Sequence, residues 1–280
     1  MHWRLSEASA IGVVGPNQIE VVPGSPTKGV HWQLNGSQAA LGVSAWQIAA
    51  VRALPAHSSQ PQEVYSRQSD LIVRYGQGPG EQFSYQLDWR LLEPAAPFVA
   101  AIELWLSVQT SLLDTQPEIE IACVAPAGER WSTFSHQQLM ASCGASTETV
   151  QDADRPAATT IDRSAAVEPL RDAARGPAAL LGSSNNHAAH VGGQDAAQVA
   201  AQCLWLIEPS DQCHARRCTE DDQAEQRVRL FGHFMEKGVI RRARMRLLMG
   251  VTSDSQAGIT LPQVMEAYRD FADSPLPLTA

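Results

Sequence analysis

The chain has little lysine, no paired cysteine motif and no long apolar run. Lys28 and Lys237 are its only lysines, so nearly all of its positive charge is arginine, and the formal net charge is -9. Binders of nucleic acid or of anionic membranes need a basic footprint to meet phosphates, and an acidic balance argues against both. No apolar run reaches the length that crosses a bilayer. The opening MHWRLSEASA lacks the basic and apolar regions of a secretory signal, which predicts a cytoplasmic chain. The five cysteines are Cys123, Cys143, Cys203, Cys213 and Cys218. An odd number at irregular spacing excludes a simple disulfide framework. The run C-x9-C-H-x3-C from Cys203 to Cys218, with His187 and His190 upstream, fits no standard zinc pattern, so no metal is expected. GxSxG and HExxH are absent. GQGPG at residues 76–80 is no phosphate loop, because Pro79 lacks an N–H donor and no helix follows. No cofactor is expected.

What is present is alternation. SDLIVRYG places Leu71, Val73 and Tyr75 on one side. QFSYQLDWRLL places Phe83, Tyr85, Leu87, Trp89 and Leu91 against Ser84, Gln86, Asp88 and Arg90. AAIELWLSVQTSLLD places Ile102, Leu104, Leu106 and Val108 against Glu103, Trp105, Ser107 and Gln109. EIEIACV follows, with Cys123 at an apolar position. Joined by GQGPG, EPAAP and DTQP, these segments predict a four-strand antiparallel meander with one wet face. Residues 40–54 read as helix or strand, with Gly42, Val43, Val51 and Pro55 favouring strand.

From about 140 to 200 large apolar residues are scarce, which predicts an irregular insertion with one short helix around VEPLRDAAR. QCLWLI reads as a strand. Residues 219–236 read as a helix, capped by Thr219 and with Ala224, Val228, Phe231 and Met235 on one stripe. TLPQVMEAYRDFA reads as a second helix, with Thr260 as cap, Pro262 in the first turn, and Val264, Tyr268 and Phe271 on one face. Between them lies the strand GVIRRARMRLLMG, with Arg242, Arg244 and Arg246 pointing one way. The 280 residues thus predict one domain: a large antiparallel β-sandwich with an irregular insertion at about 140–200 and two peripheral helices.

The polar face of the meander is the candidate site. Hairpin geometry allows Asp88 opposite Glu103 and Gln86 opposite Trp105, with Asp70 completing an acidic row. Registers two residues away keep the faces and change the pairs. Directly opposed like charges are unfavourable. The arginine strand, together with Arg74 and Arg90, is therefore expected in the same sheet, close enough to compensate.

A face of carboxylates, amides and arginines with one exposed Trp suits a carbohydrate or polyol. Trp105 would be the stacking platform, and Gln86, Gln109, Arg90, Arg242, Arg244 and Arg246 would be hydrogen-bonding partners. The arginines would equally suit a small anionic ligand. Asp88 and Glu103 would be the pair for acid–base chemistry on a sugar. Any solvated sheet face also carries such residues. The alternative function is a non-enzymatic structural or interaction domain, whose arginine strand or terminal helix meets a partner. A large sandwich with a polar concave face resembles, in architecture alone, the aldose mutarotase-like and carbohydrate-binding proteins. None of their motifs carries over.

Overall fold

The computed structural model describes residues 1–33, 47–54, 59–125, 130–135, 139, 177–183, 199–208, 212–220, 223–253 and 258–275. Its strands form two antiparallel sheets of eight. One sheet runs, edge to edge, through β1 (His2–Leu5), β2 (Ala10–Val14), β3 (Asn17–Val21), β4 (Val30–Gln33), β5 (Gln47–Leu54), β10 (Glu118–Ala125), β15 (Gln223–Phe231) and β14 (Gln212–Glu220). The other runs through β11 (Arg130–Ser135), β12 (Pro177–Ser183), β13 (Val199–Ile207), β16 (Ile240–Ser253), β9 (Phe98–Gln109), β8 (Ser84–Leu92), β7 (Asp70–Tyr75) and β6 (Glu63–Arg67).

The main core lies between the sheets. Alternation puts Leu87, Trp89 and Leu91 of β8 and Leu104 and Leu106 of β9 inward, against Ile119 and Ile121 of β10 and Val228 and Leu230 of β15. Each such fully buried side chain contributes about 1.5–3 kcal/mol of transfer free energy. Cys123 and Cys203 sit in this core as buried free thiols. Burial pushes the Cys203 thiol up to about 12. Side chains also tie the sheets at their margins. The Trp3 indole donates to the Ser69 carbonyl at 2.8 Å, and the Tyr75 hydroxyl donates to the Pro23 carbonyl at 2.6 Å.

A second, smaller core lies on the outer face of the β16-containing sheet. It is covered by α1 (Leu261–Asp273). Thr260 and Gln263 form a capping box at its start. Val264, Met265, Tyr268 and Phe271 are buried against Ala101, Leu204, Leu206 and Leu248. The helix therefore spends its apolar face on its own sheet.

Three elements differ from the sequence reading. Residues 219–236 are not a helix: β14 and β15 form a hairpin there. The segment carries a period of two as well as a helical stripe, with Val228 and Leu230 buried while Arg227 and Arg229 point outward. Pairing with β10 supplies partners that a helix would lack. Arg229 meets Glu118 at 3.0 Å and Arg227 meets Glu120 at 3.5 Å. Second, the meander is β6–β7–β8–β9, and the DTQP connection carries β10 into the other sheet, where it pairs with β5 and β15. Third, β12 forms within the stretch read as an irregular insertion, with Ala179 and Leu180 buried. The helix expected around VEPLRDAAR, and His187 and His190, lie outside the described residues.

Candidate functional site

The outer face of β7, β8, β9 and β16 carries every residue singled out as a site candidate. The strands lie side by side, with β16 directly against β9. The observed register is displaced by two residues from the one expected. Arg90, not Asp88, stands opposite Glu103, and Asp88 stands opposite Trp105. Asp70 faces Arg90 rather than Asp88. The displacement keeps every side chain on its face and replaces an acidic row by an alternating one. Across four strands it reads Asp70, Arg90, Glu103, Arg246. Opposite charges at directly opposed positions attract, which favours this register over one that stacks carboxylates.

Helix α1 divides this face in two. At the covered end Glu103, Trp105, Arg244 and Arg246 are all buried, with Trp105 only 6% exposed. The Trp105 indole donates to Glu103 Oε1 at 2.8 Å. Arg246 donates to Glu103 Oε2 through Nε at 3.0 Å and Nη2 at 2.9 Å. Its Nη1 reaches Asp270 of the helix. Arg244 is sandwiched, its guanidinium carbon 5.5 Å from the Trp105 ring centre and 4.2 Å from that of Phe271. It also donates to the Ser274 carbonyl at 3.1 Å and the Ser274 hydroxyl at 2.8 Å. Two cations thus meet the C-terminal end of α1, where unpaired carbonyls and the helix dipole favour positive charge.

The sequence reading placed Trp105 on the correct side of the sheet, but the indole is no exposed platform. The helix roofs it. Arg244 and Arg246 are likewise engaged inside the protein. Both Glu103 oxygens are occupied, so Glu103 is not a free partner for Asp88. The two acids occupy diagonal positions of the ladder, typically about 7–8 Å apart, rather than facing each other.

The open end holds the remaining candidates. Gln86, Gln109 and Arg242 line one depression of about 220 Å³ together with Arg74, Ser84 and Ser107. Arg74, Arg242 and Gln109 are exposed, and neither arginine forms an ion pair with a described residue. Asp88 adjoins this end, half-buried, and accepts a hydrogen bond from Gln86 Nε2 at 2.8 Å. Burial pushes its carboxyl above the usual carboxylate range. The Gln86 hydrogen bond and the fields of Arg242 and Arg90 oppose that shift. Arg90 lies between the two ends and is held by Asp70 through bonds of 2.8 and 3.0 Å.

The depression can therefore donate from two guanidinium groups and two amides, and can accept at amide and hydroxyl oxygens. Tyr85 is the aromatic residue of its lining, but that side chain is buried in the core between the sheets and gives no open stacking face. Arg74, Ser84 and Ser107 were not among the sequence candidates. Their places on the polar face were legible, but only the register brings them beside Gln86, Gln109 and Arg242. Among the described residues no group of three His, Cys, Asp or Glu could hold a metal ion. No described helix is long and apolar enough to cross a membrane.

No family model matches the chain, and no curated protein matches it. Several solved structures show distant likeness. A proposed kojibiose phosphorylase from the human microbiome shares 6% identity at a TM-score of 0.46, covering 97% of this chain and 37% of its own length. A proposed aldose 1-epimerase from Escherichia coli K12 shares 9% identity at a TM-score of 0.43, covering 85% of this chain and 97% of its own. A proposed mutarotase from Salmonella typhimurium shares 7% identity at a TM-score of 0.36, covering 89% and 92%. This chain spans about a third of the first of these proteins and nearly the whole of the other two. At these scores the likenesses decide nothing about its chemistry.

Proposed function

We propose that the open end of the outer face binds a small acidic saccharide or polyol, and that the protein acts by binding rather than by catalysis. The observation that carries this reading is the 220 Å³ depression in which Arg74 and Arg242 flank the amides of Gln86 and Gln109. Planar guanidinium groups suit a carboxylate or phosphate. Amides and serine hydroxyls suit the mixed donors and acceptors of a polyol chain. Tyr85, the aromatic residue in the lining, is buried, which disfavours a ligand held mainly by ring stacking. Catalysis gains less support, because Glu103 is engaged by Trp105 and Arg246 and is not free to pair with Asp88.

The test is a thermal-shift screen of sugar acids, sugar phosphates and neutral sugars, repeated with Arg242→Ala. A sugar acid or phosphate should raise the unfolding midpoint of the wild type, and the variant should lose that response while keeping its own midpoint. A screen in which neutral and acidic sugars are equally silent, or in which Arg242→Ala responds like wild type, removes the proposal.

The second reading, a partner-binding domain, has its own observation. The turns on either side of the Thr115–Met235 bridge expose Leu112, Leu113, Phe234, Val239 and Ile240 at the same end of the sandwich. A patch of that kind is typical of an interaction surface. Self-association or partner capture lost on Leu113→Asp, with the ligand screen silent, would favour it.

A further inference from the structure

We propose that a second pocket, under the middle of α1, takes a small organic cation: an ammonium or guanidinium carried on an apolar body. The pocket lies where α1 crosses the β8–β9 turn and encloses about 320 Å³, within the range of ordinary small-molecule sites. Its floor is apolar, built from Phe98, Ala101 and Leu248, with Ala267 on the helix side. These belong to the packed outer core or lie against it, so the floor is a fixed surface. Phe98 and Leu248 are themselves buried.

The mouth sets the sign of the ligand. Three carboxylates line the pocket, Glu93 on the turn and Glu266 and Asp270 on the helix, against one guanidinium, that of Arg246. Arg246 is already claimed by Glu103 from below and by Asp270 from the side. Glu93 and Glu266 are exposed and form no ion pair with a described residue. Uncompensated negative charge therefore sits at the rim of an apolar hollow. An anion would be repelled there. A bare metal ion is not what the pocket fits, since no three ligating side chains converge among the described residues. An amine with an aryl or alkyl body would bury its apolar part on Phe98 and Leu248 and leave its charge at the rim. This site is separate from the polar depression and opposite to it in charge preference.

The test uses ligand-observed NMR on the full chain at low ionic strength, with 2-phenylethylamine as probe. Isosteric 2-phenylethanol and 3-phenylpropionate serve as controls. The amine should bind more tightly than the alcohol, and the acid should not bind. Exposed charges contribute roughly a factor of two to five each. Glu266→Lys and Glu93→Lys alter exposed side chains and should leave the unfolding midpoint in place. Each should weaken the amine severalfold, and together they should admit the acid. Added salt should weaken the amine and not the alcohol. Arg242→Ala should leave amine binding unchanged, which separates this site from the depression. The proposal is overturned if the amine does not bind, if the three probes bind alike, or if both Lys variants bind the amine as wild type does.

Discussion

The covered and open ends of one sheet face carry nearly the same residue types and put them to opposite uses. Both have arginines from β16 beside acids and amides of β8 and β9. Under α1, Arg244 and Arg246 are desolvated, hydrogen-bonded to Ser274 and stacked on Phe271. They hold the helix end to the sheet. Beyond the helix, Arg242 and Arg74 are exposed beside the polar depression. Arg246 and Arg242 are four residues apart on the same strand. Burial, not identity, separates the structural cations from those available to a ligand.

The comparison is most easily broken at the covered end. Arg246→Ala should cost about 3–5 kcal/mol, because it strands the Glu103 carboxylate in a buried place without its cation. Urea unfolding with the m-value checked is the measurement. A loss below about 1 kcal/mol would mean that water reaches Glu103. Replacing both partners, Glu103→Leu with Arg246→Leu, should recover most of the loss, since no charge is then stranded. A double-mutant cycle reads this directly.

Ser274→Ala removes a hydroxyl that accepts from both Arg244 and Arg246 and donates to the Phe271 carbonyl. A loss of about 1 kcal/mol is expected. It should appear also as faster hydrogen exchange in the last turn of α1.

Asp88 stands at the border, and Asp88→Asn should have a small effect with a defined sign. Its carboxyl is raised in the folded state, so the folded protein binds the proton more tightly than the unfolded chain. Stability from this group is present at low pH and is lost as pH rises through the folded value. The neutral amide should therefore stabilise slightly at neutral pH, by about 0.5 kcal/mol or less. Between the unfolded and folded values it should remove a loss of stability with rising pH, so the variant's stability should climb more steeply with pH there than the wild type's. A variant that is less stable at neutral pH would show that the charge is compensated.

At the open end, Arg242→Ala and Gln109→Ala should change stability by no more than about 0.5 kcal/mol. A destabilisation approaching that of Arg246→Ala would dissolve the distinction between the two ends.

Much of this was legible in the residues. Period-two alternation located β7, β8, β9 and β16, named the inward sets of the first three, and put Arg242, Arg244 and Arg246 of the last on one side. The cap at Thr260 and the stripe through Val264, Tyr268 and Phe271 located α1. Residues 219–236 were not settled locally, because Val228 belongs both to a helical stripe and to an alternating strand. β10 decided for the strand through Glu118 and Glu120. The fate of Trp105 was equally invisible. A ring on the polar face of a strand reads as exposed until something packs over it, and the cover comes from residues more than 150 positions away.

The sequence alone determined parity: which side chains of each strand face the core, and that Glu103, Trp105 and the three arginines share a side. Tertiary structure decided the rest, because a two-residue slip leaves parity untouched. Only cross-strand charge pairing and the docking of α1 could select Arg90 opposite Glu103 and place Trp105 beneath a helix.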